Sequence, residues 1–269
     1  GAVLRILLPD AEGHVHGEDL ARLLTSRTRV FAVTACANAT GERPPFAELL
    51  AMASQAGALT VLDAAQVAAH AVPDISTLPC DFLVFSGHKM YGPMGTGALV
   101  GRREALELLA PFRVGGDMVE WVSFTGASYA ALPARLEAGT PNVGGAIGMA
   151  AAAKFIDAVG RSAIDQHLHA LRAQAVQGLS ALPGLRVLSP DTQDTAIVSF
   201  VTEGAHPHDV GTLLDGQGVA VRTGLHCAQP LLEHLGCGPT TRASFALYNT
   251  PEEVERLVAG VAKALELLR

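Results

Sequence analysis

The sequence predicts an α/β protein built on a largely parallel sheet, and three observations carry that expectation. Short, near-continuous apolar runs alternate with segments of helical spacing, as in strands buried beneath helices on both sheet faces. Apolar residues make up 49% of the chain and charged residues 17%, against about 25% charged in an average domain. Two of the apolar runs end in a polar residue, Asp63 and Ser86, the second leading into a glycine-rich turn, and strand ends are where such sheets carry ligands. In chain order, strands are expected at residues 4–8, 30–34, 59–63, 81–86 and 97–101. The first is followed by a polar turn at 9–16 and a helix near 17–24. Leu49, Leu50 and Met52 give residues 45–55 helical spacing, and Gly57 stops that helix. A Gly/Pro-rich middle, 112–141, shows little periodicity. Two long helices, about 144–159 and 162–179, open the second half. Strands at 185–189 and 196–201, a helix at 208–215 and a strand at 219–222 come next. A short helix near 230–235, a strand at 242–247 and a terminal helix at 252–268 complete the chain. Thr250 at the N-cap and Pro251 at the first helical position mark that last helix start. The organisation reads as two lobes, 1–155 and 156–269, with no internal repeat.

The 269 residues suffice for a sizeable core. A net charge of −7 and the lack of any basic run argue against nucleic acid as a partner. No apolar run approaches the roughly 18 residues of a membrane span, so no membrane role is expected. Four cysteines are too few for a disulfide scaffold, which suggests a reducing, cytoplasmic setting. The first residues, GAVLRILLPDAEG, have no signal-peptide pattern.

Five segments carry candidate chemistry. In residues 81–97 an apolar run leads to Ser86, His88 and Lys89, framed by Gly87, Gly92, Gly95 and Gly97. A lysine at the end of a buried strand is costly unless paired or converted, and Schiff-base formation with pyridoxal phosphate is one conversion; an exposed lysine on a surface turn is the plain alternative. Asp63 ends another apolar run, in VLDAAQ with Gln66. It suits a partner for a protonated pyridine nitrogen, or an ordinary turn-capping aspartate. In RTGLHCAQP, Cys227 lies close to Arg222 and just before a short helix, which suits a nucleophile; an inert buried cysteine is the alternative. His226, Cys227, His234 and Cys237 offer zinc-type ligands, but adjacent His226 and Cys227 do not match structural zinc spacing, and no metal is expected. Arg242 opens a strand and suits either a carboxylate clamp or a surface ion pair. Thr140 precedes a glycine-rich helix start, suited to phosphate or to plain capping.

Taken together, VLDAAQ, SGHKMYGPMGTG, RLEAGTPNVGG, RTGLHCAQPL and RASFALYNT, in this order, resemble the group II (SUF-type) cysteine desulfurases and the related selenocysteine lyases of the class V aminotransferase superfamily. The resemblance implies a fold-type-I, pyridoxal-phosphate-dependent enzyme, with a mainly parallel large domain, partial here, and a smaller α+β C-terminal domain. It implies Lys89 as the Schiff-base lysine and proton shuttle, Asp63 beside the pyridine nitrogen and Gln66 facing the ring hydroxyl. Ser86 and His88 are implied as phosphate ligands, with Thr140 as a phosphate ligand lent by the other subunit of a homodimer. Asn38 and Arg242 match a substrate carboxylate clamp, Arg222 a second active-site arginine, and Cys227 the nucleophile that takes sulfur as a persulfide. The implied substrate is L-cysteine or L-selenocysteine, and a sulfur-acceptor protein, for iron-sulfur cluster or other sulfur delivery, is expected by family.

Two departures stand out. Leu225 occupies a position where the family often has a second histidine before the nucleophile. Family enzymes also carry a further segment ahead of the point matched by Gly1, holding a glycine/threonine phosphate loop and a ring-stacking histidine; the first residues here match an interior strand of the large domain. An incomplete remnant acting only as a binding module is the contrasting expectation.

Overall fold

The structure, a computed structural model, describes residues 1–188, 191 and 195–268. Four apolar segments form the first sheet, in the order β1 (Val30–Thr34), β2 (Leu59–Asp63), β3 (Phe82–Ser86) and β4 (Gly97–Gly101). β1, β2 and β3 are parallel, and β4 runs antiparallel at the edge. Register places Val33 beside Leu62 and Leu62 beside Leu83. That face packs against Leu50 of a helix at Phe46–Gln55 and against Ala64 and Val67. The other face carries Val30, Val61, Val84 and Leu99, and Val30 and Leu99 are exposed. Helices were expected on both faces; among the described residues only one is covered. Apolar runs report burial potential, and the same run suits a strand whose second face stays open.

The expected strand at 4–8 does not form. Val3, Leu4, Ile6 and Leu8 are exposed and have no ladder partner among the described residues. The turn that follows is held by polar contacts: Asp10 Oδ1 accepts from the His14 N–H at 2.8 Å, and His234 Nε2 lies 2.8 Å from the Pro9 carbonyl. Helix α1 (Gly17–Leu23) follows, and the helix at Phe46–Gln55 is α2. Two elements were not expected: α3 (Arg103–Glu107), and a hairpin of β5 (Val119–Ser123) with β6 (Gly126–Tyr129).

Helix α4 (Val143–Val159) starts on Asn142, whose Oδ1 accepts from Gly145 N–H at 2.9 Å. It runs past residue 155, and the chain turns by 79° at Gly160 into α5 (Arg161–Ser180). No single helix among the described residues is long and apolar enough to cross a membrane. The second sheet is antiparallel throughout. It contains β7 (Leu185–Leu188), β8 (Ile197–Thr202), β9 (Arg222–Gly224) and β10 (Thr240–Ser244), in the order β7-β8-β10-β9. Ser189, the expected end of β7, lies outside the described residues. The strand expected at 219–222 begins only at Arg222, because Val219 and Val221 pack on the core without joining the ladder. The strand expected at 242–247 is displaced likewise: Phe245 turns onto the core after Ser244.

Helices α6 (Pro207–Asp215) and α8 (Pro251–Leu268) flank this sheet, with α7 (Gln229–His234) between β9 and β10. Phe200, Leu171, Leu214, Val254 and Val261 form the core of this lobe. The start of α8 is a reciprocal cap: Thr250 Oγ1 accepts from Glu253 N–H, and Glu253 Oε2 accepts from Thr250 N–H.

One loop joins the two sheets. It leaves β1 with the Ala35 N–H donating to the Asp63 carbonyl at 2.8 Å. Further along, Ser199 Oγ of β8 donates to the Ala39 carbonyl, and Cys36 Sγ meets Thr195 Oγ1 at 3.4 Å. Ile197 of β8 completes the core of the first lobe. The C-terminal ends of the parallel strands therefore lie on the side of the first lobe that faces the second sheet.

Candidate active site

The strand ends supply the first group of side chains. Asp63 closes β2, and one of its oxygens accepts from the Ala65 N–H at 2.9 Å. Its other oxygen has no protein partner among the described residues. Gln66 lies half-buried three residues on, and Ser86 closes the neighbouring β3. His88 and Lys89 occupy the 3-10 turn Gly87–Met90 and are exposed. Backbone bonds hold this turn: Gly87 N–H donates to Thr96 O, and Gly92 N–H to Gly87 O, each at 2.9 Å. A Cβ on Gly97 would stand 2.6 Å from the Phe85 carbonyl, so the β3–β4 edge requires glycine there. Tyr91, with φ of 63°, accepts from the Leu247 N–H at 3.2 Å and ties the lysine turn to the second lobe.

The second group gathers around Cys227. His226 and Cys227 follow β9 with φ of 51° and 58°. A non-glycine residue in this region costs on the order of 1–2 kcal/mol. The turn buries His226 and exposes Cys227. Asn38 Nδ2 donates to the His226 carbonyl at 2.5 Å, while Arg242 donates to the Asn38 carbonyl at 2.7 Å. The loop that leaves β1 beside Asp63 thus ends in the Cys227 turn, which brings the strand-end group and the thiol to one region. Arg222 and Arg242 are register partners on β9 and β10, and Arg222 reaches Cys227 Sγ at 3.7 Å.

The electrostatics of this group are cationic. Neither Arg222 nor Arg242 has a carboxylate partner among the described residues, and Arg242 Nε is buried without a hydrogen-bond acceptor. Burial, and then Arg222, hold the Arg242 guanidinium below its ordinary range, with Cys227 opposing. Two guanidinium groups side by side, one with a spare donor, suit a carboxylate. His226 is pushed down to about 4, first by burial and then by Arg242.

That depression has a stability consequence. Between about 4 and the ordinary 6.5, the unfolded chain binds a proton at His226 that the folded chain refuses. Stability should therefore fall as pH drops from 6.5 to about 4. His226→Gln should remove that part of the fall, at most about 3 kcal/mol and less with solvent screening. Urea titrations of both proteins at pH 7 and pH 4.5 measure it; equal losses in the two would contradict the assignment.

Other expected residues are not gathered. Thr140 is exposed two residues before the α4 cap, and its hydroxyl makes no hydrogen bond among the described residues. No group of three potential metal ligands occurs among the described residues. Leu225, at the departure from the family pattern, is half-buried against the cluster of Ala39, Leu188 and Leu232. Sequence reasoning treated His226 only as a metal ligand. Its anchoring contact to Thr240 joins residues fourteen apart, and no spacing rule signals it.

A largely parallel sheet with a carboxylate and a lysine after adjacent strands, facing an α+β lobe that presents a thiol beside an arginine, is the mixed α/β fold class of the aminotransferases. The chain belongs to the class-V aminotransferase family, whose model matches residues 1–257. It is 46% identical over 268 residues to a probable cysteine desulfurase 2 of Mycobacterium leprae, covering 99% of this chain and 64% of that protein. It is 43% identical to a cysteine desulfurase of Cronobacter sakazakii, covering 100% of this chain and 66% of that protein. Among solved structures, it matches the cysteine desulfurase CsdA (S-sulfonic acid) from Escherichia coli with a TM-score of 0.92 and 41% identity, covering 97% of this chain and 65% of that one. The apo cysteine desulfurase of Thermococcus onnurineus matches with a TM-score of 0.93 and 37% identity, covering 98% and 66%. The chain thus spans slightly less than two thirds of the length of these relatives.

Proposed function

We propose that this chain is the cofactor-holding and sulfur-accepting part of a pyridoxal-phosphate-dependent cysteine desulfurase, which converts L-cysteine to L-alanine. The observation that carries this reading is the exposed Cys227 thiol beside Arg222, on a turn held by the Asn38 loop. The relatives named above support it. The residues present fit the cofactor by the chemistry of their donors. Asp63 has a carboxylate oxygen without a protein partner, Lys89 is an exposed amine without an ion pair among the described residues, and Ser86 and His88 flank the lysine turn. Residues 1–155 would hold the cofactor, and 156–269 would present the thiol.

Bound pyridoxal phosphate supplies an electron sink at the substrate's α-carbon. Asp63 would hold a proton at the cofactor's pyridine nitrogen, and Gln66 would be the residue for its ring hydroxyl. Ser86 and His88 would hold its phosphate. Lys89 removes the α-proton and returns one later. Arg242, Arg222 and the Asn38 loop hold the substrate carboxylate. The Cys227 sulfur bonds to the substrate sulfur as the carbon–sulfur bond breaks; that electron pair passes to the substrate side and is protonated, so alanine leaves and a persulfide remains. L-Selenocysteine fits the same scheme, with selenium at the same atom.

The same reading includes a homodimer, supported by the exposed Trp121, Val122 and Phe124 of the β5–β6 hairpin and by the exposed Thr140, which the resemblance assigns as a phosphate ligand lent by the other subunit. It also includes a sulfur-acceptor protein and a reducing cytoplasmic setting.

Borohydride reduction of the chain mixed with pyridoxal phosphate tests the cofactor assignment. Mass mapping is expected to place the pyridoxyl group on Lys89, in preference to the exposed Lys154 and Lys263 of the helices. Labelling of Lys154 and Lys263 alone, or undiminished labelling in Lys89→Ala, would overturn it.

A further inference from the structure

His226 takes no part in the steps above, yet its side chain is enclosed while the adjacent Cys227 is exposed. We propose that His226 is a positioning residue for Cys227: its hydrogen bond to Thr240 locks the left-handed two-residue turn and keeps the thiol beside Arg222. This rests on Cys227 being the reacting thiol.

Four observations converge. His226 Nε2 lies 2.7 Å from Thr240 Oγ1, and both residues are buried. Thr240 stands opposite Gly224 at the end of the β9–β10 ladder, so the imidazole closes the loop on the rung where the chain leaves the sheet. Both His226 and Cys227 have positive φ, a conformation that side chains resist and that outside contacts must maintain. The remaining restraints act on the backbone on either side: Asn38 holds the His226 carbonyl, and Ala228 N–H donates to Leu225 O at 2.8 Å. The His226 ring reaches from the turn back into the sheet, to Thr240 of β10. A charged imidazole would face Arg222 and Arg242, so the ring acts through geometry and not as an acid. Its Nδ1 is buried without a hydrogen-bond partner among the described residues, a cost that a turn free to rearrange would shed.

The test reads the thiol directly in the full chain, through the rate of iodoacetamide alkylation at Cys227 followed by peptide mass. A guanidinium beside the sulfur speeds alkylation at neutral pH, so Arg222→Met should slow it. With His226→Ala the thiol leaves Arg222, and the added Arg222→Met change should have no further effect, a coupling of roughly threefold or more in rate. His226→Gln, whose amide reaches toward Thr240, should restore the dependence on Arg222, and Thr240→Val should abolish it. Alkylation of the buried Cys36 and Cys80 reports any unfolding; if His226→Ala unfolds, Thr240→Val and His226→Gln decide the question. An Arg222 effect of equal size in wild type, Thr240→Val and His226→Ala would overturn the proposal. No cofactor or turnover enters the measurement, so failure of the desulfurase reading would show separately, in the Lys89 labelling.

Discussion

Cys227→Ser is expected to lose sulfur release from L-cysteine by a factor on the order of 10³ or more, with no persulfide on the protein. A serine hydroxyl keeps the size and the left-handed turn but is a poor partner for sulfur. The geometry narrows the effect to this one cysteine. Cys36 and Cys80 are buried, and burial pushes both thiols up from their ordinary range. Cys237 is half-buried behind α7 and pushed up in the same way. Cys237→Ser should therefore keep turnover. Alanine and sulfide are measured without added reductant, in the chain supplied with whatever upstream sequence cofactor uptake requires. Undiminished sulfide from Cys227→Ser would remove the thiol from the mechanism, whatever the cofactor does.

Phe200→Ala is expected to cost about 3–5 kcal/mol, a large fraction of the 5–15 kcal/mol typical of a folded domain. The ring is fully buried in β8, with Val187 opposite on one side and Thr241 on the other. Leu171, Leu214, Val254 and Leu257 close around it from α5, α6 and α8. Helices on one side and a sheet on the other leave the cavity little room to collapse. The preceding residue, Ser199, is the register partner of Arg242 and holds the Ala39 carbonyl, so loosening β8 reaches the thiol turn as well. Denaturant titration should show the loss in the midpoint, with Phe200→Leu costing much less. A cost below about 1 kcal/mol would mean that the cluster is not the core of this lobe.

Most of the fold was legible because burial writes itself into spacing. β1, β2 and β4 match the expected residues throughout, and α8 starts at the expected cap. The β5–β6 hairpin escaped notice because nearly every residue in it is exposed, leaving no alternation to read. The run at 4–8 misled for the opposite reason: it is apolar enough for a strand, but a strand also needs a neighbour to bond. At the site, the types of Lys89, Asp63, Cys227 and Arg242 and their places after strands pointed to chemistry. Their assembly did not follow from spacing. It depends on Asn38, nearly 190 residues before His226, gripping that carbonyl and giving its own to Arg242. The anchoring by His226 is equally long-range, and its burial is visible only once β9 and β10 are paired.

The open face of the first sheet bears on how the protein behaves in bulk. Val30 and Leu99 on that face, and Val3, Leu4 and Ile6 ahead of α1, leave water against apolar side chains. A net charge of −7 supplies the repulsion that keeps such molecules apart. Salt screens that repulsion, and sulfate or phosphate further strengthens apolar association. The colloidal window of this chain is therefore narrow at the high-salt end, and low ionic strength is the condition in which its dispersed state is best kept.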